Sequence, residues 1–172
     1  MLTDDGICWY VARTRKGQEL SIRDKLNGFG IRNFVPVCGT PRLVAGRLVK
    51  ANSPLIPNMV FLKTTKNDAC SLANGRGLPV FYIRDHSTGG MLVIPNKQME
   101  DFIRVVAEQE DTVQLTGFAP IVGHKVRIVS GKLSGVEGIA VSEEQNMHVV
   151  VCVGRLLCAK VKVLRESLEL IG

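Results

Sequence analysis

Apolar residues change their spacing several times along the chain, and each change predicts an element. Trp9-Tyr10-Val11-Ala12-Arg13 is a β-rich run bounded by Gly6 and Gly17 and predicts a first strand. Residues 17–27 are helix formers, with Leu20 and Leu26 among polar neighbours, Glu19 and Arg23 at i,i+4, and Gly28 as a stop. A short amphipathic helix is expected there, carrying Arg23 and Lys25 on its exposed face. Residues 31–37 return to strand character. Residues 41–54 hold Arg42, Arg47 and Lys50 around Gly46, which suggests an exposed basic hairpin or loop. Residues 55–63 contain an apolar run of strand length with Pro57 at its start, where no ladder donor is needed. Asn67 is placed to cap a helix holding Ala69, Leu72 and Ala73 that stops at Gly75 and Gly77, and residues 79–84 predict a fourth strand. Asn96 is placed to cap a helix with Met99, Phe102, Ile103 and Val106 at i, i+3, i+4 and i+7, the clearest amphipathic signal in the chain.

The resulting order, βαββαβα, implies an α+β domain over residues 1–108, an antiparallel sheet with helices packed on one face in the split βαβ manner. Residues 109–120 lose periodicity and gain Gly and Pro, as a linker does. From residue 121 to 172 no helix is signalled. Short β-branched runs at 126–129, 136–141, 148–153 and 157–163 are separated by Ser130-Gly131, Glu144-Gln145-Asn146 and Gly154-Arg155, so a small β-barrel is expected.

Composition narrows the function. The chain is 45% hydrophobic and 22% charged, the balance of a globular protein. No basic leader or membrane-length apolar run is present, and a cytoplasmic protein without membrane contact is expected. The five cysteines (Cys8, Cys38, Cys70, Cys152, Cys158) have wide, irregular spacing with no Cys-x-x-Cys pair, which argues against a disulfide framework or a zinc site and for buried or incidental thiols. His86, His124 and His148 are scattered, and neither they nor the cysteines form a local catalytic signature, so no enzyme activity and no cofactor are expected. The net charge of +6 is uneven: residues 1–110 carry 15 basic and 10 acidic side chains, and residues 111–172 carry 7 and 6. From Arg13 to Lys50, nine basic residues face only Glu19 and Asp24. Such a field attracts a polyanion, although the same charge also suits a solubilising face.

Two sets of residues carry a resemblance. In Val122-Gly-His-Lys-Val-Arg-Ile-Val-Ser-Gly-Lys-Leu-Ser-Gly-Val-Glu-Gly138, a strand is followed by Gly131, Gly135 and Gly138, with apolar residues at 126, 128, 133, 136 and 139. Physically, Gly131 serves a tight turn, Gly135 and Gly138 permit a strained or closely approached backbone, and the alternating apolar residues face a core. Gly131-Lys132 lacks the upstream Gly and following Ser or Thr of a phosphate-binding loop. The stretch resembles the KOW motif, an SH3-like barrel found in transcription factors and in ribosomal proteins. Trp9-Tyr10-Val11, Gly17-x-Glu19 and Leu55-Ile-Pro-Asn-Met-Val-Phe-Leu62 are similar, in order and spacing, to the NusG N-terminal (NGN) domain. Within that family the Pro57-Asn58 version and the opening from Trp9 to Lys16 look more like the specialised paralogues RfaH and, especially, the UpxY-type antiterminators of polysaccharide operons.

The resemblance implies a transcription elongation and antitermination factor whose N-terminal domain binds the β′ clamp helices of RNA polymerase through an apolar pocket. The matching positions are Trp9, Tyr10, Pro57, Asn58, Met59, Phe61, Phe81 and Tyr82. Met59 stands where relatives commonly have an aromatic residue. Trp9, Phe61 and Phe81 also suit plain core positions, and each adjacent pair, Trp9-Tyr10 and Phe81-Tyr82, sends one ring to either face of a strand. Arg13, Arg15, Lys16, Arg23 and Lys25 match the surface with which specialised relatives meet the non-template DNA strand; Arg76 and Arg84 are further nucleic-acid candidates for which solvated surface charge is the favoured reading. In general factors of the family the barrel binds Rho or a ribosomal protein, and which partner this barrel takes is left open by the resemblance. The alternative is a ribosome-associated RNA-binding KOW protein acting in translation, against which the charge of only +1 over residues 111–172 counts.

Overall fold

The structure is a computed structural model that describes residues 6–109, 112–119 and 121–172, without the side chains of Cys38, Thr40, Arg42, Lys50, Ala51 and Asn52. The chain divides into two compact units between Asn96 and Lys97.

The first unit is built on β1 (Cys8–Arg13), which pairs along its whole length with β5 (Met59–Thr64), from Cys8↔Thr64 to Arg13↔Met59. β2 (Arg32–Phe34) extends the sheet beyond β5, while β6 (Phe81–Tyr82) and β7 (Val93–Ile94) pair with β1, all antiparallel. Trp9, Tyr10, Val11 and Ala12 are all buried, so both faces of β1 are covered. That explains why its apolar residues run on without alternating. On one face Tyr10, Ala12, Val60 and Leu62 pack with Ile22 and Leu26 of α1 (Glu19–Gly28) and with Ala69 and Leu72 of α2 (Lys66–Asn74).

Several local expectations change. The expected strand over 31–37 is interrupted at Val35-Pro36: β2 ends at Phe34, and β3 (Val37–Val44) begins a separate hairpin with β4 (Arg47–Pro54). Proline removes a ladder donor, which separates the two pieces. The basic segment 41–54 is thus a true hairpin, closed by Ala45-Gly46 with φ of 50° and 76°. Both residues are left-handed, the turn geometry that matches strand twist. Leu55 to Asn58 lie before β5, and α2 is capped by Thr65, whose hydroxyl accepts from the Asp68 N–H at 3.1 Å, rather than by Asn67. β7 had no counterpart in the sequence reading.

In the second unit, β8 (Gln114–Gly117), β9 (His124–Ile128), β10 (Glu137–Glu143), β11 (Asn146–Val153), β12 (Leu157–Val163) and β13 (Leu168–Leu170) form one antiparallel sheet. Its order is β13-β9-β10-β11-β12-β8. Val126, Ile128, Val136, Val149, Val153 and Val161 supply its buried side. β8 falls inside the segment expected to be a linker, of which residues 110, 111 and 120 lie outside the described residues.

Helix α3 (Asn96–Glu108) falls in this unit from Lys97 onward, whereas the sequence reading carried the first domain through residue 108. Its polar side chains bond the turns of the sheet. Buried Asp101 accepts from Lys97 Nζ (2.7 Å) and from the Glu137 N–H (3.1 Å). Gln98 Oε1 accepts from the Gly154 N–H, and Arg104 donates to the Lys132 carbonyl. Amphipathic spacing marked which face of α3 is buried but carried no information on these polar bonds.

The reading of all five cysteines as unbonded thiols is corrected: Cys152 and Cys158 form a disulfide. They are six residues apart in sequence and directly opposite in the β11–β12 register, because the Gly154-Arg155 turn folds one strand onto the other. Cys8 and Cys70 are free, and Cys38 lies outside the described side chains.

Candidate nucleic-acid and partner interface

The basic candidates begin where β1 ends. Arg13 is exposed at the end of β1, and Arg15 and Lys16 project from the turn that follows. That turn is set by Gly17 at φ 84° and closed by the Gln18 N–H donating to the Arg15 carbonyl at 3.1 Å. Lys25 is exposed on α1, whereas Arg23 is half-buried and paired with Asp24 at 3.1 Å. Arg23 thus has an acidic partner beside it. Arg76, exposed just after α2, lays its guanidinium over the ring of Phe29 at 4.9 Å.

Other members of the positive field have structural partners. Arg32 lies over the Trp9 ring at 5.2 Å and Lys63 at 5.9 Å, while Lys63 also donates to Asn96 Oδ1 at 2.9 Å. Trp9 is thus a buried ring attended by two cations. Arg47 is exposed at the tip of the β3–β4 hairpin, next to the facing pair Leu43 and Leu48, which are 72% and 73% exposed.

The apolar candidates separate into two groups. Trp9, Tyr10, Met59 and Phe61 are all buried. A strand covered on both faces leaves neither ring free. The other pair does divide: Phe81 is 73% exposed, while Tyr82 is half-buried and donates its hydroxyl to the Ala69 carbonyl at 2.6 Å. Burial holds the Tyr82 phenol well above its ordinary pKa, aided by the nearby Cys70 and Tyr10.

Pro57 is exposed, and Asn58 has a backbone task that sequence reasoning did not find. Asn58 sits at φ 63°, its N–H donates to Glu19 Oε1 at 2.7 Å, and its carbonyl accepts from the Thr14 N–H at 3.0 Å. Glu19, only 2% exposed, is the first residue of α1. Two motifs 39 residues apart, Gly17-x-Glu19 and Pro57-Asn58, are therefore one structural unit. The acidic side chain in a helix's first turn is also favoured by the helix dipole.

In the second unit, Gly131 (φ 81°) and Gly135 (φ 91°) are left-handed, and a Cβ on Gly138 would lie 2.5 Å from the Val150 carbonyl oxygen. Arg127 bonds Glu137 and Lys160 bonds Glu143, each holding its carboxyl below the ordinary range. Among the described residues no group of three His, Cys, Asp or Glu is placed to hold a metal. No helix among them is long and apolar enough to cross a membrane. Among the described residues the arrangement offers surfaces: exposed cations around α1, a basic side chain stacked on an exposed ring, and the exposed Phe81.

Residues 7–103 match the NusG family, described as "Transcription termination factor nusG". A search of curated proteins finds no match. Among solved structures, "Domain interaction in Thermotoga maritima NusG" is similar at a TM-score of 0.50 and 22% identity, covering 99% of this chain and 100% of that one, a likeness of fold. A chain of the MjSpt4:Spt5 complex matches at a TM-score of 0.29 and 12% identity, covering 95% of this chain and 97% of that one.

Proposed function

The chain belongs to the NusG family, and from that footing we propose that it is a transcription elongation and antitermination factor. It works by binding rather than by catalysis. In this reading the domain over residues 1–108 docks on the β′ clamp helices of RNA polymerase and suppresses pausing or termination. The cations around α1 hold the non-template DNA strand. The six-stranded sheet is a KOW barrel that recruits a further protein, Rho or a ribosomal protein. The motif resemblance to RfaH and the UpxY-type regulators points to polysaccharide operons as targets.

The observation that carries the proposal is the family match over the segment holding Trp9-Tyr10, Glu19 and Pro57-Asn58. The exposure of Arg13, Arg15, Lys16, Lys25 and Arg76 supports the DNA contact. A strand phosphate is attracted to such a surface, and guanidinium planes serve both phosphate and base. For the polymerase contact, Phe81 is the exposed aromatic of the candidate set, with Pro57 exposed as well. Exposed aromatics commonly dominate interfaces.

The test is capture of purified core polymerase by the full chain, followed by single-round transcription through a pause site. Binding accompanied by shortened pauses supports the proposal; no complex and unchanged pausing refute it. Phe81→Ala should weaken capture while leaving thermal unfolding unchanged, since the ring makes little of the core. Equal capture by the variant removes Phe81 from the interface.

A further inference from the structure

Strands β11 and β12 are joined by the turn 154–156, and the last two rungs before it are Cys152↔Cys158 and Val153↔Leu157. Gly154 takes the left-handed conformation at φ 53°, and the Leu156 N–H closes the turn on the Val153 carbonyl at 3.2 Å. Two other segments of this unit are tied to the same turn. Gln98 Oε1, in the first turn of α3, accepts from the Gly154 N–H at 3.0 Å. The Phe118 N–H, just beyond β8, donates to the Leu156 carbonyl at 3.2 Å. The disulfide therefore stands at the base of the turn that holds the start of α3 and the end of β8.

This bond is placed to open without unpacking the sheet. Val151, Val153, Leu157 and Ala159 are buried, and alternation along a strand sends the side chains of Cys152 and Cys158 to the face opposite theirs. The apolar side of β11 and β12 thus keeps its neighbours whether the sulfurs are joined or not. The two cysteines differ in access. Cys152 is half-buried and Cys158 only 1% exposed, so an incoming thiolate reaches the bond from the Cys152 side. A protein that accompanies RNA polymerase, as proposed above, works among the cell's reducing thiols. Disulfides are uncommon there, and those that occur are usually redox-sensing or catalytic.

Resting on that reading for its compartment alone, we infer that Cys152–Cys158 is a reversible redox site whose reaction partner is a dithiol, and that its state sets how firmly the turn 154–156 holds α3 and β8. One thiolate of the dithiol attacks Cys152 Sγ, the Cys152–Cys158 bond breaks, and Cys158 leaves with the electron pair and takes up a proton. The second thiol of the reductant then displaces Cys152. The protein gains two electrons and two protons, and the dithiol becomes a disulfide. With the covalent rung gone, the end of the hairpin opens locally more often, and the bonds to Gln98 and Phe118 open with it.

The full chain, isolated oxidised, is incubated with excess dithiothreitol under native conditions. One portion is quenched in acid and alkylated in denaturant for mass counting, and in another amide exchange is read residue by residue. Expected are labelling of both Cys152 and Cys158, and exchange faster by about fivefold or more at Gly154 and Phe118. Protection at Val149 and Val150, in the middle of β11, should stay unchanged, and oxidised glutathione should restore the slow rates. Cys152→Ser with Cys158→Ser should exchange at the fast rate with or without dithiothreitol, and Cys8→Ser with Cys70→Ser should respond as the unaltered chain does. A bond that opens only in denaturant is a structural staple and overturns the inference. So does an opening that strips protection from the whole sheet, or one that leaves Gly154 and Phe118 unchanged. Should the double serine variant not fold, the reduced unaltered chain carries the same comparison. No polymerase enters the experiment, so its result is independent of whether the chain captures polymerase.

Discussion

Replacing Glu19 by alanine removes the one acceptor that holds the Asn58 N–H, inside a site where water has no ready access: Glu19 is 2% exposed and the bond is 2.7 Å. A hydrogen bond to a charged group contributes about 1.5–3 kcal/mol, and an orphaned buried N–H adds its own desolvation cost. Relief of carboxylate burial offsets part of this, so a net loss of about 2 kcal/mol is expected. For a chain of this length that lowers the midpoint of thermal unfolding by roughly 4–8 °C. Glu19→Gln keeps an acceptor at the same place and should lose about half as much. Urea denaturation gives the free energies, and amide exchange gives the location: protection should fall at Asn58 and at Thr14, whose N–H bonds the Asn58 carbonyl. A loss below about 0.5 kcal/mol in Glu19→Ala, within the range of an ordinary surface change, would show that this bond does not hold the turn.

Gly138→Ala places a Cβ 2.5 Å from the Val150 carbonyl oxygen and 2.7 Å from Val149 Cγ1, so the β10–β11 backbone must move. A loss of about 2–3 kcal/mol in chemical denaturation is expected, and an unaltered midpoint would contradict the close approach. Tyr82 keeps its proton in the fold beyond the ordinary value of 10.0, so its contribution is present below about pH 10 and is lost as pH rises further. Thermal melts between pH 9 and 11 should fall more steeply for the unaltered chain than for Tyr82→Phe; parallel curves would refute the shift. Alkylation in denaturant without reductant should label three of the five cysteines, five less the bonded pair, and all five after reduction. Labelling of all five before reduction would rule out the Cys152–Cys158 bond.

What the sequence disclosed was whatever a short window can hold. β1, β5 and β9 to β12 of the second unit announce themselves as β-branched or aromatic runs between turn residues, and α1 to α3 as periodic segments, whereas β8 and β13 gave no such signal. The basic hairpin was legible from Gly46 and its flanking cations. Features set by strand register or by distant partners were not. Whether Cys152 meets Cys158 depends on which residues of β11 and β12 are opposed. The polar attachment of α3 depends on backbone groups 28 to 56 residues away. The candidate site divides in the same way. Charge placed Arg15, Lys16 and Lys25 at the surface, but alternation alone did not show that both faces of β1 are covered, which buries Tyr10 as well as Trp9. Phe29, a single aromatic between Gly28 and Gly30, gave only a weak local signal.

The strand β8 has a consequence for how the second unit keeps to itself. The six-stranded sheet is open at β13 and β8, and β8 covers Leu157 to Lys160 of β12 through four paired positions. A bare strand edge is a template for another chain. Cutting the protein at residue 121, where composition alone placed the start of the second domain, would strip that cover from β12 and leave its backbone donors and acceptors facing solvent. Such a fragment exposes the seven-residue margin of β12 in place of the shorter, four-residue edge of β8. The segment that looks like mere tether is thus a guard against aggregation.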